Sequence, residues 1–318
     1  MNKIDKPRVV IEKLDIHCHT TKRKIRNIVP KDATIRTIQE EARKYNINKI
    51  VLLATYFSHR GTGVSNFRLL DWIQEHEFNG GYSTYLKRDN LLLFGSLDFE
   101  HFFNQGYSEL EEMAERNLLD GIKIYTSYQH IDLGSDNFRQ AIELARQHKL
   151  PLMFHVGYTH TGIQKNHFVA GEVKPKDLEF IAQDGQVVII SHLAKPFTDE
   201  LIEVVKRNPT IYSDMSGLID SYHEKHEISE AIDLIKRFLG ECGPQRLLFG
   251  TDFPVQTHED SILMIRQAMQ GYSNQDKKEV YYFNAYGILN GLQESERRKE
   301  IYRNYDPDDD YEYRDCWD

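Results

Sequence analysis

Eight short apolar runs, fairly evenly spaced and separated by segments of helical periodicity, constrain this chain more than any other feature. They are Leu14–His19, Lys49–Ala54, Leu91–Leu97, Gly121–Tyr125, Leu150–Val156, Val187–Leu193, Thr210–Asp214 and Arg246–Asp252. Each is mostly apolar through its middle rather than alternating, the pattern of a strand buried on both faces. Between them, Thr34–Tyr45 carries Ile35, Ile38, Ala42 and Tyr45 at helical spacing. Ser108–Asn117, Asp136–His148, Lys176–Ala182, Asp199–Lys206 and Ser229–Leu239 continue the alternation. Ser108, Asp136, Asp199 and Ser229 are expected as N-caps, because their short side chains accept from unpaired helix N–H groups. Strands alternating with helices in this number predict a (β/α)8 TIM barrel in an α/β protein. A doubly wound sheet is disfavoured, because no Gly-rich phosphate turn follows the first strand and Gly61-Thr62-Gly63 reads as a loop.

The 318 residues suffice for one large barrel, and no internal repeat or low-complexity linker divides them. The expected organisation is a barrel over 1–292 and a charged, acidic C-terminal tail over 293–318. With thirteen residues before the first strand and few after the last helix, no flanking β-sandwich is expected. Net charge is −9, but Tyr305–Asp318 holds seven acids and one Arg, which leaves the body near −3. That balance offers nothing to nucleic acid or an anionic membrane. No apolar run is long enough to cross a bilayer, and Met1–Lys6 is not followed by a signal-like apolar segment. Cys18, Cys242 and Cys316 are unpatterned, which fits a reducing cytoplasm. The expected partner is a small-molecule substrate. The aromatic, acidic tail reads as a surface extension or as a contact arm in a homo-oligomer.

A TIM barrel places its chemistry at the C-terminal ends of the strands, and four of these ends carry metal-ligating side chains. The first run closes on His17-Cys18-His19, whose histidines share a face when the segment is extended. The fifth closes on His155, the sixth on His192 and the eighth on Asp252. A single late-strand histidine is usually a hydrogen-bonded rim residue. Four strand ends converging on one mouth instead make a set suited to a divalent ion.

His17-x-His19, His155, His192 and Asp252, with Gly121-Ile122-Lys123-Ile124, Phe249-Gly250-Thr251-Asp252-Phe253-Pro254 and Phe283-Asn284-Ala285, resemble the metal-dependent amidohydrolase superfamily. More particularly they resemble the amidohydrolase-related branch that contains aminocarboxymuconate-semialdehyde decarboxylase. The resemblance implies that His17, His19, His155 and Asp252 hold Zn2+ or a similar ion, with Asp252 as proton shuttle. It implies that His192 is a second-metal ligand or a neutral imidazole polarising the substrate. It also implies two roles for Lys123, a carboxylated bridge between two ions or an unmodified cation. Arg60 and Lys195, after the second and sixth strands, are candidates for a substrate carboxylate.

The leading expectation is a metal-dependent hydrolase of a small amide, lactone or ester. A decarboxylase using the same ligands is the alternative. A catalytically silent, metal-stabilised binding protein is a third, against which the intact ligand set speaks.

Overall fold

The computed structural model describes residues 11–21, 32–56, 63–78, 90–159, 169–170, 173–220 and 224–292. Eight parallel strands form one sheet in sequence order: β1 (Lys13–Cys18), β2 (Ile47–Leu53), β3 (Leu91–Ser96), β4 (Gly121–Ile124), β5 (Leu152–Phe154), β6 (Val188–Ile190), β7 (Ile211–Asp214) and β8 (Leu247–Leu248). β1 and β8 share no regular ladder. The sheet closes there through single backbone bonds: Ile16 N donates to the Phe249 carbonyl (3.1 Å), Asp252 N to His17 (2.7 Å) and His19 N to Phe253 (2.8 Å). A short antiparallel pair, Tyr158–Thr159 with Val169–Ala170, follows β5.

The barrel interior is filled by Leu14, Ile16, Val51, Leu53, Phe94, Met153, Ile189, Tyr212 and Leu248, with Ala285 and Ile288 added from the final helix. A larger apolar layer lies between the barrel and its helices. This two-layer burial is why the strands read as apolar throughout rather than alternating. Among the described residues, no helix is long and apolar enough to cross a membrane.

Several expected boundaries move. The fifth, sixth and eighth strands are shorter than their apolar runs, because the chain leaves the sheet before the functional residues. His192, Leu193, Ala194 and Asp252 all have left-handed backbone, with φ of 48–61°, which a strand cannot contain. Lys176–Ala182 lies within 3-10 turns spanning Pro175–Asp184, stopped by left-handed Gly185. Ser108, Asp199 and Ser229 lie inside helices that begin earlier, and Asp136 is the first residue of its helix rather than the cap. The preceding residues are Phe102 for α3 (Phe103–Glu115), Ser135 for α4 (Asp136–Gln147), Phe197 for α5 (Thr198–Arg207) and Glu224 for α6 (Lys225–Cys242). Ser135 does cap, accepting from Phe138 N at 3.2 Å. In α3, burial of Phe103 and the close packing of Gly106 on Tyr56 extend the helix beyond where capping chemistry would start it. α2 (Asn66–Phe78) is a helix that the sequence reading did not anticipate.

Candidate metal centre

β1 contains the local irregularity on which the site depends. Asp15 pairs with Ile50 and Cys18 with Leu52, so three steps on β1 oppose two on β2. Such a bulge inverts the inward-outward alternation of a strand. Leu14 and Ile16 therefore face the barrel interior and Cys18 the outer apolar layer, while His17 and His19 turn into the mouth. The Asp15 carboxylate holds the bulge in place. Its Oδ1 accepts from the backbone N–H of His17 (3.1 Å) and Thr251 (3.0 Å), and its Oδ2 from the Thr251 hydroxyl (2.5 Å). Burial pushes this carboxyl up to about 7 against those hydrogen bonds.

The mouth holds two groups of ligating atoms. In the first, donor atoms of His17, His19 and Asp252 all lie within 4.8 Å of one another. His19 Nε2 is 3.2 Å and His17 Nε2 3.5 Å from Asp252 Oδ1. In the second, His155 Nδ1 and His192 Nε2 are 3.1 Å apart. The His17 and His192 rings, 4.8 Å between centroids, join the two groups. His155 thus stands with His192 rather than with the β1 pair.

The outer partners of the rings fix where their protons sit. His155 Nε2 faces the Tyr158 carbonyl at 2.9 Å, and His192 Nδ1 faces the Ser216 carbonyl at 2.9 Å. Carbonyl oxygens only accept, so those nitrogens carry the protons and the facing nitrogens present lone pairs. Burial lowers both histidines, helped at His155 by the neighbouring His192 and at both by the Lys123 charge, which favours the neutral rings. Two bare nitrogens therefore face each other. His17 Nδ1 faces Asp214 Oδ2 at 3.1 Å, and its buried Nε2 has no hydrogen-bond partner. Burial, helped by the Lys123 charge, lowers His17 to about 3. Three neutral imidazole lone pairs with no donor are costly in a buried site and fit a divalent cation. Nitrogens bound at about 2.0–2.1 Å to one ion are about 3.1 Å apart when they subtend roughly 100°.

Charge at the centre is balanced by buried groups. For Asp252 burial opposes ionisation, but the hydrogen bond from His19 and the neighbouring His17 and His192 hold it well below the usual carboxylate range. Asp214 behaves alike: burial is outweighed by His17, His192 and Lys123. Lys123, fully buried on β4, donates to Ser191 Oγ at 2.5 Å. Burial lowers its amine to about 8 despite Asp214 and Asp252. The backbone of Gly217 lies against the same groups, where a Cβ would come 2.6 Å from Asp252 Oδ2 and 2.7 Å from His192 Nδ1. Tyr125 and Tyr128 form an aromatic wall beside His155, with ring centroids 6.4 and 4.8 Å away. Lys195 follows the left-handed turn after β6 and reaches toward the Leu218 carbonyl at 3.5 Å. Arg60 lies outside the described residues, as does the tail over 293–318.

A family model described as amidohydrolase matches residues 15–290. The chain belongs to the amidohydrolase family. This is a family of enzymes. No curated protein matches the sequence. Solved structures share the fold at low identity. One is described as a probable 2-pyrone-4,6-dicarboxylic acid hydrolase from Acinetobacter baumannii with citric acid bound: 15% identical, 88% of this chain and 99% of that one covered, TM-score 0.59. An amidohydrolase from Burkholderia multivorans with bound zinc is 13% identical, with 89% and 100% covered and a TM-score of 0.62. The 2,6-dihydroxybenzoate decarboxylase from Rhizobium is 12% identical, with 88% and 98% covered and a TM-score of 0.60.

Asp214, Ser216 and Asp15 are absent from the residues singled out in the sequence. Asp214 does end an apolar run, as Asp252 does, and that signal could have found it. Asp15 is two residues before His17, but only the bulge shows what its carboxylate does.

Proposed function

We propose that this amidohydrolase is a metal-dependent hydrolase of a small carbonyl compound, an amide, lactone or ester. The observation that carries the reading is the set of buried, neutral histidine lone pairs without donors, grouped beside an ionised carboxylate. His17, His19 and Asp252 would hold one divalent ion, and His155 with His192 would complete that site or hold a second. Nitrogen and oxygen donors of this kind suit Zn2+. When bound, the ion supplies Lewis-acid polarisation of a carbonyl and acidification of water.

The chain's own residues supply the rest. The free oxygen of the Asp252 carboxylate holds the proton removed from the attacking water and returns it to the leaving group, acting as base and then acid. His192 presents a lone pair rather than an N–H, so a ligand role suits it better than donation to an oxyanion. Lys123 in its present contacts is a cation balancing Asp214 and Asp252. Its lowered pKa also makes the neutral amine, the form that reacts with CO2, more accessible than in an exposed lysine. Tyr125 and Tyr128 exclude water from one side of the site.

The second reading is a decarboxylase of a small carboxylated substrate, favoured by the buried ammonium of Lys123, a ready partner for a carboxylate. The test is elemental analysis of the protein and of His17→Ala/His19→Ala, followed by turnover on lactones, esters, amides and aromatic acids. The double variant is expected to lose bound metal, and hydrolysis is expected to need it. Full activity after chelator treatment would sink metal dependence, and CO2 release in place of hydrolysis would install the second reading.

A further inference from the structure

Asp214 ends β7 fully buried, and its two carboxylate oxygens perform different tasks. Oδ2 lies 3.1 Å from His17 Nδ1. Oδ1 accepts from three donors: the backbone N–H of His192 (3.1 Å), the backbone N–H of Ser216 (3.0 Å) and the Ser216 hydroxyl (2.5 Å). Because that hydroxyl gives its proton to Asp214, its oxygen offers His192 Nδ1 only lone pairs, at 3.0 Å. The Ser216 carbonyl does the same at 2.9 Å. A carboxylate accepts and cannot donate, so the proton of His17 must sit on Nδ1. The Ser216 relay imposes the same form on His192.

We propose that Asp214 is a positioning residue that locks His17 as the Nδ1–H tautomer, leaving a bare Nε2 turned to the centre, while it also anchors the Ser216 segment whose carbonyl holds His192 in the same form. One side chain on β7 thereby prepares a ligand on β1 and accepts from the backbone N–H of another after β6. The consequence for ion binding rests on the metal reading above, whereas the tautomer lock needs no ion.

Asp214→Asn separates this role from simple packing. The amide oxygen must stay where three donors converge, so the NH2 group takes the place of Oδ2. It then faces His17 Nδ1, and two donors cannot share that contact. The His17 proton moves to Nε2, on the side where the lone pair is needed. His192 keeps its tautomer, because its Ser216 partners are unchanged.

The experiment uses the full chain, 15N-labelled and stripped of metal by chelator. Two-bond 1H–15N spectra of the imidazoles are assigned by single His17→Gln and His192→Gln variants. Zinc affinity is measured by competition with a chromogenic chelator. In the unsubstituted protein both rings are expected as Nδ1–H. In Asp214→Asn, His17 becomes Nε2–H, His192 does not change, and zinc affinity falls about 10–100-fold. An unchanged His17 tautomer in Asp214→Asn overturns the proposal. A flipped tautomer with undiminished zinc affinity leaves the lock standing and overturns His17 as a ligand. Should Asp214→Asn fail to fold, the unsubstituted protein still decides: His17 found there as Nε2–H ends the proposal. Ser216→Ala, which removes one of the three donors on Oδ1, is expected to keep His17 as Nδ1–H, and a flip in that variant would contradict the assignment.

Discussion

Replacing Asp15 by Asn is expected to make stability less dependent on pH by an amount that the structure sets. Asp15 is fully buried, and burial raises its carboxyl from 3.8 to about 7. Between those values the folded protein holds a proton that the unfolded chain has released, so stability falls as pH rises and levels off above about pH 7. Each unit is worth 1.36 kcal/mol, so from pH 5 to pH 8 the unsubstituted protein loses about 3 kcal/mol through this one group. Asn does not titrate and loses none of it. Its amide oxygen can still accept from the backbone N–H groups of His17 and Thr251, and its NH2 can donate to Thr251 Oγ1. The bulge therefore survives. The assay is urea unfolding of chelator-stripped protein and variant at pH 5 and pH 8. The variant should gain about 3 kcal/mol on the unsubstituted protein between the two conditions. Parallel profiles, differing by less than about 0.5 kcal/mol, would refute the claim that Asp15 is held protonated by burial.

Two further outcomes follow from the same geometry. Lys123→Met removes an ammonium whose pKa burial lowers from 10.5 to about 8, a burden of about 3 kcal/mol at every pH below 8 and relieved only as pH rises toward 10.5. Allowing for the lost bond to Ser191, the variant is expected to be about 2 kcal/mol more stable at pH 7 in thermal or urea melts, and inactive; lower stability would show the lysine to be a net structural asset. Gly217→Ala adds a Cβ at φ +59° and within 2.7 Å of both Asp252 and His192. It should cost about 1–2 kcal/mol in backbone strain and lower zinc retention measured by elemental analysis, because the contact displaces those two side chains; unchanged retention would separate Gly217 from the centre.

Lys123 is a charge that an apolar core would reject, and it lies beside Asp214 and Asp252 at the mouth. Its cost is borne where chemistry needs it, as are the left-handed backbones of His192 and Asp252.

The sequence by itself determined the architecture and the residue types at the mouth. A strand buried on both faces must be apolar throughout, and a helix covering it must repeat every three to four residues, so eight such alternations leave little choice of fold. His17, His19, His155, His192 and Asp252 were legible because the fold sends every strand end to one face. Helix starts were not, since Phe103 and its neighbours extend α3 by burial and not by capping chemistry. Nor was the parity of β1: Ile16 and His17 both point inward, which no period-two reading allows, and only the pairing with β2 reveals the extra residue. Asp214 stayed hidden because its importance lies in what its two oxygens touch, 197 residues away at His17 and 22 away at His192. Those contacts exist only once the strands are placed side by side, and it is the tertiary structure that decides which nitrogen of each ring is left bare.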